Sequence, residues 1–254
     1  MRAVAVINQK GGVGKTTTTA NLAHAIALMG NRVTVIDLDP QGHLSAHFGV
    51  VQRNQNGIDQ ILSGKMQVAQ IVIAAREGLQ LIPAGHDLVL LERGKEDLSL
   101  GQKLKEIVTR YCKDEDFVFI DCPPASGLLI DYALTAVKEI LVPVAGDYLA
   151  LRGLSDLVGN LKQFEKKYSN SFVRWIVVTR FHMRRRLSWE VREKLLEYFP
   201  DCVLVTPIRE TAALAECPSF GKTAFEYKRG NNGAADYGLL AKNFFHGECC
   251  GSQE

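Results

Sequence analysis

Short apolar, β-branched runs alternate along this chain with longer stretches in which apolar residues recur at helical spacing. The runs fall at residues 3–8, 32–37, 79–83, 117–121, 140–144, 175–179 and 203–206; the stretches between them predict helices over about 16–29, 87–111, 127–137, 149–167, 188–198 and 234–245. Uninterrupted apolar strands separated by helices are the pattern of a mostly parallel, twisted sheet with helices on both faces. The expectation is one α/β domain with seven or eight strands, since no linker, repeat or low-complexity tract marks a boundary. Ligands of such sheets sit beyond the carboxyl ends of the strands, so chemistry is sought in the residues that follow each run.

Composition narrows the class. With 46% hydrophobic and 23% charged residues in 254, the chain is neither disordered, collagen-like nor a disulfide scaffold. The opening residues MRAVAVINQKGG reach glycine and charge too soon for a signal peptide, and no apolar run approaches about 18 residues. A soluble cytoplasmic protein is expected. Cys112, Cys122, Cys202, Cys217, Cys249 and Cys250 form no CxxC pair and no zinc spacing, which suggests reduced thiols. The net charge of +2 conceals an asymmetry: residues 152–229 hold 15 basic and 9 acidic side chains.

Directly after the first run comes Gln9-Lys10-Gly11-Gly12-Val13-Gly14-Lys15-Thr16-Thr17, followed by a helix. Glycines let successive backbone N–H groups converge on phosphate oxygens, and the helix adds its positive end to the same place. Lys15 supplies a charge for the β and γ phosphates, and the Thr16 hydroxyl is placed to ligate Mg²⁺. Gln9 stands where the ordinary phosphate-loop expression has glycine, and an additional lysine, Lys10, is present. A glycine-rich turn that binds nothing would leave two lysines beside three glycines without a purpose.

Two further strand ends are acidic. In Asp37-Leu38-Asp39-Pro40-Gln41-Gly42 the alternation of an extended chain puts Asp37 and Asp39 on one side, where a cation, a proton or an oriented water would relieve their repulsion. Phe117-Val118-Phe119-Ile120 ends in Asp121-Cys122-Pro123-Pro124, the usual second half of a phosphate-loop site. Cys122 has no histidine placed by the sequence to activate it and is read as a small buried residue; His43 is read as an exposed loop residue.

KGGVGKTT after an amino-terminal strand, DLDPQ and DCPP resemble the deviant Walker A box and the two switches of the ParA/MinD family of ATPases, and the resemblance extends to about Phe245. It implies a P-loop NTPase domain over residues 1–246, with a short flexible tail at 247–254. It further implies ATP and Mg²⁺ as cofactors, held by Lys10, Gly11, Gly12, Val13, Gly14, Lys15, Thr16 and Thr17, with the metal near Thr16, Asp37 and Asp121. Lys10 would cross a dimer interface to the partner's nucleotide, Lys15 would act within its own subunit, and Asp39 would position the attacking water.

The chain departs from the family at three places. Arg152 replaces a usual glutamate, Arg209-Glu210-Thr211 replaces a frequent Pro-Arg-Asn beside the base, and Ala213 stands where DNA-binding relatives carry arginine. Thr211 is therefore the candidate adenine contact. Arg180, Arg184, Arg185 and Arg186, with Lys222, Lys228 and Arg229, are candidates for nonspecific contact with DNA phosphates, against a plain solvated surface.

The resemblance implies an ATPase that forms an ATP-bridged homodimer, binds nonspecific double-stranded DNA of the nucleoid in that state and positions a plasmid, chromosome region or protein assembly. A ParB-type adaptor would stimulate its slow hydrolysis. The alternative is a MinD-like membrane-cycling ATPase, but the net acidic tail has no basic amphipathic helix, so no membrane partner is expected. An iron–sulfur reductase would need bridging cysteines that Cys112 and Cys122 are poorly placed to supply, and a P-loop kinase would need an acceptor pocket to which no residues are assigned.

Overall fold

The computed structural model describes residues 1–50, 56–94, 97–124, 127–168 and 170–252. Its centre is a seven-stranded sheet built from β1 (Arg2–Val6), β2 (Val33–Asp37), β3 (Ile73–Arg76), β4 (Leu79–Ile82), β5 (Phe117–Asp121), β6 (Glu139–Ala145) and β7 (Val173–Thr179). The spatial order is β3-β4-β2-β5-β1-β6-β7, parallel throughout except for β3 against β4.

Alternation along the central strands divides the interior into two cores. Val4 and Val6 of β1 and Phe117 and Phe119 of β5 face one side, where α1 (Lys15–Leu28) and α11 (Asn232–His246) supply Leu22, Ile26, Tyr237 and Phe244. Ala5, Ile7, Val118 and Ile120 face the other. There α5 (Leu98–Glu106), α6 (Leu128–Ala136), α7 (Tyr148–Tyr168) and α8 (Arg186–Tyr198) contribute Leu104, Leu129, Leu161 and Leu195. Burial on both faces is why these strands read as continuous apolar runs.

Register fixes what the strand ends bring together. Val6 and Asp37 both pair with Asp121, so the end of β5 lies between the end of β2 and the start of the glycine-rich loop. Two acidic strand ends and the loop thereby converge at the carboxyl ends of the central strands.

Four expectations need correction. Residues 203–206 form no sheet strand: single-residue bridges join Ile176 to Val203 and Leu204 to Cys249. Leu204 N donates to Ile176 O and Ile208 N to Val178 O, so four residues span two of β7, a bulge that contains Pro207, which has no N–H to donate. The seventh strand is instead the antiparallel edge β3. The helix expected over 87–111 is divided into α4 (Leu88–Arg93), which ends at extended Gly94, then α5, and a π-helical turn at Ile107–Tyr111. Asp97 starts α5 by accepting from Ser99 N, as an N-cap residue does. The tail is folded through residue 252: Gly247 closes α11 in a left-handed conformation, Cys249 is buried and Cys250 N donates to Val203 O.

The remaining short helices are α2 (His43–His47), α3 (Ile58–Leu62), α9 (Ala212–Glu216) and α10 (Ala224–Tyr227). Among the described residues no helix is long and apolar enough to cross a membrane.

Candidate nucleotide site

The glycine-rich loop is tied to its neighbours before it reaches the ligand space. Buried Asn8 donates from Nδ2 to Pro143 O at 2.8 Å, and its Oδ1 accepts from Lys10 N at 2.9 Å. The Thr179 hydroxyl donates to Val13 O at 2.7 Å. Gly12 and Gly14 take φ values of +75° and +87°, a region that side chains disfavour. No atom lies within 4 Å of a Cβ built on either, so the loop is open on its inner face. No side chain caps α1, and the N–H groups of its first turn remain directed at the same space.

Around this loop the charged groups are buried and uneven. The Lys15 side chain enters the site at 7% exposure, with its Nζ 3.5 Å from Lys10 O. Burial lowers its pKa, while Asp121 and then Asp39 oppose that shift. Burial raises the Asp121 carboxyl to about 7, against hydroxyl donation from Thr16 and Thr19. Asp37 is pushed well above the carboxylate range by burial and then by Asp121, although Asp39 N and Leu44 N donate to it at 3.0 and 3.2 Å. Asp39 lies on the rim, its Oδ1 accepting from Gln41 N at 3.0 Å. The Cys122 thiol is fully buried and its pKa is raised by that burial, which makes it a packing residue and no nucleophile.

Asp121 Oδ2 is buried without a hydrogen-bond partner. An acid at the end of a strand, with one oxygen accepting from the Thr19 hydroxyl at 3.1 Å and the other orphaned, is short of a cation. Among the described residues no cluster of three or more His, Cys, Asp or Glu side chains encloses a metal by itself. Magnesium does not need one, because it keeps waters and takes phosphate oxygens beside one or two protein ligands. Thr16, Asp37 and Asp121 therefore fit Mg²⁺ bound together with a polyphosphate.

The unfavourable carboxyls make a prediction for the ligand-free protein. The native Asp121 binds a proton more tightly than the unfolded chain does, so its own contribution to stability is full below about pH 4 and is lost as pH rises to about 7. Thermal melts of Asp121→Asn are expected to flatten this decline; an unchanged slope would locate its source elsewhere.

Two cavities meet at the loop. One of 560 Å³ is lined by Lys15, Thr16, Asp39, Gln41, His43 and Pro124, the side of both acidic strand ends. The other, of 240 Å³, shares Gly12, Gly14 and Thr17 with the first and is walled by Ile208, Leu214 and Tyr237. Thr211 lines the second cavity, where its hydroxyl oxygen accepts from Leu214 N at 3.3 Å as the cap of α9.

Two acidic participants, Asp236 and Asp147, were given no role in the sequence analysis. Arg209 forks onto Asp236 with contacts of 2.6 to 3.1 Å and also donates its backbone N to that carboxylate, which locks the wall of the smaller cavity to α11. Lys10 makes a 2.7 Å ion pair with Asp147, just beyond β6. Both partners stand far apart in sequence; acids in GDY and GAADY were visible, but nothing local assigned them.

The basic candidates do not form one group. Arg184, Arg185 and Arg186 are exposed at the start of α8, and Arg186 reaches Glu190 at 2.7 Å. Lys222, Lys228 and Arg229 are exposed on either side of α10. Arg180 stands apart from them, lining the smaller cavity and pairing with Glu210 at 3.2 Å.

The loop bearing Lys222 also touches the loop beyond Asp39. Gly49, just after α2, lies against Gly221 so closely that a Cβ at residue 221 would collide with the Gly49 Cα. Arg76 joins the two by donating to Phe48 O at 3.1 Å and Gly221 O at 2.9 Å, and it pairs with Glu226 of α10.

Comparison with known proteins places this geometry among relatives. A family described as an AAA domain matches residues 1–174. The sporulation initiation inhibitor protein Soj of Bacillus subtilis is 35% identical over 247 residues, 94% of this chain and 96% of that protein. The chromosome-partitioning ATPase Soj of Thermus thermophilus is 35% identical over 245 residues, 95% of this chain and 94% of that protein. Among solved structures, cobyrinic acid a,c-diamide synthase of Mycobacterium smegmatis with bound ATP analog and magnesium superposes with a TM-score of 0.82 at 28% identity, covering 97% of this chain and 95% of that one.

Proposed function

Because the chain belongs to the Soj/ParA family of ATPases, with its AAA domain, we propose that it is an ATP-driven positioning ATPase whose triphosphate state is a homodimer that holds nonspecific DNA. The observation that carries this reading is the orphaned Asp121 carboxylate beside Asp37, facing Lys15 and an uncapped helix end. That arrangement suits a metal-bound polyphosphate whose loss would be felt at two strand ends together.

Gly11, Gly12, Val13 and Gly14 cradle the β phosphate through backbone N–H groups, Thr17 continues the first turn, and Lys15 carries the charge toward the γ phosphate. Thr16, Asp37 and Asp121 hold Mg²⁺, which neutralises the phosphate oxygens when bound. Asp39 orients the attacking water from the rim. Lys10 leaves Asp147 to reach the nucleotide of the second subunit. Hydrolysis removes the γ-phosphate contacts on which the dimer depends, and an adaptor of ParB type accelerates that step. In a cell, such a cycle operates in the cytoplasm on the nucleoid.

The decisive experiment is an electrophoretic shift on random-sequence double-stranded DNA with no nucleotide, ADP and ATP compared. Retention with ATP alone is expected; equal retention in all three lanes would detach DNA from the switch. Lys10→Ala is expected to retain ATP yet elute as a monomer with a nonhydrolysable analogue, as read by light scattering, and full dimerisation would contradict its crossing role. Replacing Arg184, Arg185 and Arg186 together by alanine is expected to weaken DNA retention and reduce its salt slope by about two to three units for each subunit whose arginines touch the duplex. An unaltered slope would move the contact to Lys222, Lys228 and Arg229.

A further inference from the structure

We propose that a cavity at the amino ends of the central strands, the opposite end of the sheet from the phosphate loop, is a second binding site, for a small organic anion with an apolar body. The cavity measures 460 Å³, the size of a small-molecule site. It lies where Arg2 opens β1, Glu139 opens β6 and Ala136 closes α6. The five residues of β1 hold it about 15 Å from the loop that follows them.

Its lining has two characters. Val108, Val137 and Phe164 are buried and supply apolar surface. Lys105 and Lys138 line it with exposed side chains, and among the described residues neither is paired with a carboxylate. The acid of the lining, Glu139, is already engaged: it accepts from Arg2 at 2.7 Å and from Trp175 Nε1 at 2.8 Å. Arg2 and Glu139 cancel in charge, so the two lysines leave the cavity net positive. Ammonium groups recognise carboxylate or phosphate through charge-assisted contacts, and the apolar wall asks for a hydrocarbon or ring attached to that anion.

The backbone of one wall departs from a regular helix at this place. After α5 the chain makes its π-helical turn over Ile107–Tyr111, and Cys112 N donates to Ile107 O, five residues back, at 3.1 Å. Such turns are rare and occur frequently at functional sites. Here the turn delivers Val108 to the apolar surface and Thr109 to the polar one. The Thr109 hydroxyl donates to Lys105 O at 2.8 Å, which ties the turn to the residue that carries one of the two free amines.

Titration of the full chain, followed by NMR, with phenyl phosphate and with 3-phenylpropionate distinguishes the phosphate and carboxylate forms of this chemistry. At least one of them is expected to bind with a Kd of about 1 mM or below. Benzyl alcohol and inorganic phosphate, each with only one of the two characters, should bind at least about tenfold more weakly. Replacing Lys105 and Lys138 together by alanine should weaken the anion by about tenfold or more, and replacing both by arginine should restore it. Thr109→Trp, which fills the space and keeps both charges, should remove binding. All three positions are exposed, so thermal melts of these variants should match wild type. Mg²⁺ and ADP should leave the affinity for the anion unchanged. Displacement of the anion by ADP would place it in the phosphate loop and overturn the second site. So would a failure of both anions to bind, equal binding of benzyl alcohol or inorganic phosphate, or binding that survives the alanine and tryptophan substitutions.

Discussion

Lys15→Ala is expected to lose about a hundredfold or more in affinity for Mg²⁺ and ATP, the largest effect of any single substitution in the site. The amine is nearly buried, its own burial works against its charge, and only Asp121 and Asp39 compensate. A cation kept in such a place gains most when a multivalent anion arrives, since charge-assisted contacts in a partly dehydrated site exceed ordinary hydrogen bonds about twofold. Removing it also withdraws a charge that holds the Asp121 carboxyl down, so metal must be bound against a higher proton affinity. Calorimetry measures both losses, and an affinity within about threefold of wild type would refute the assignment. The ligand-free variant should still fold, because Lys15 Nζ makes only a 3.5 Å contact with the Lys10 carbonyl.

Asp39→Asn is expected to keep nucleotide binding and lower turnover by about a hundredfold to a thousandfold. The amide retains an oxygen for Gln41 N, so the bend after Asp39 survives. What disappears is the negative charge that orients and polarises a water at the rim of the larger cavity, a contribution of the size seen for general-base and water-positioning groups. Asp37 cannot replace it: it is fully buried and held by two backbone donors. Single-turnover phosphate release gives the rate and gel filtration with ATP gives the bound state. Near-normal release would assign the water to another group.

How much of this was legible depended on whether the information was local. The strand, loop and helix from Arg2 to Leu28 lie in consecutive residues, so the phosphate cradle could be read directly. Asp37 and Asp121 were recognisable as acidic strand ends, but their adjacency comes from β2 pairing with β5, which no single stretch encodes. Edge strand β3 has four residues, two of them alanine, too short and weak a pattern to register. The apolar run at 203–206 reads as a strand, but Pro207 directly after it has no N–H to donate and the pairing with β7 is broken there. Arg180 sits four residues before the arginine run and was grouped with it; the turn of its backbone puts it in a different place. Arg209 and Asp236 are 27 residues apart, and only the fold joins them.

The abutting glycines at 49 and 221 carry a mechanical consequence. Side chains between two loops act as cushions that absorb small displacements by changing rotamer, and here there are none: main chain rests on main chain, clasped by Arg76. The linkage has no play in it. A methyl group inserted at Gly221 would run into Gly49 Cα and force the two segments apart, whereas one at Gly49, 3.1 Å from Gly221 O, would need them to give by only a few tenths of an ångström.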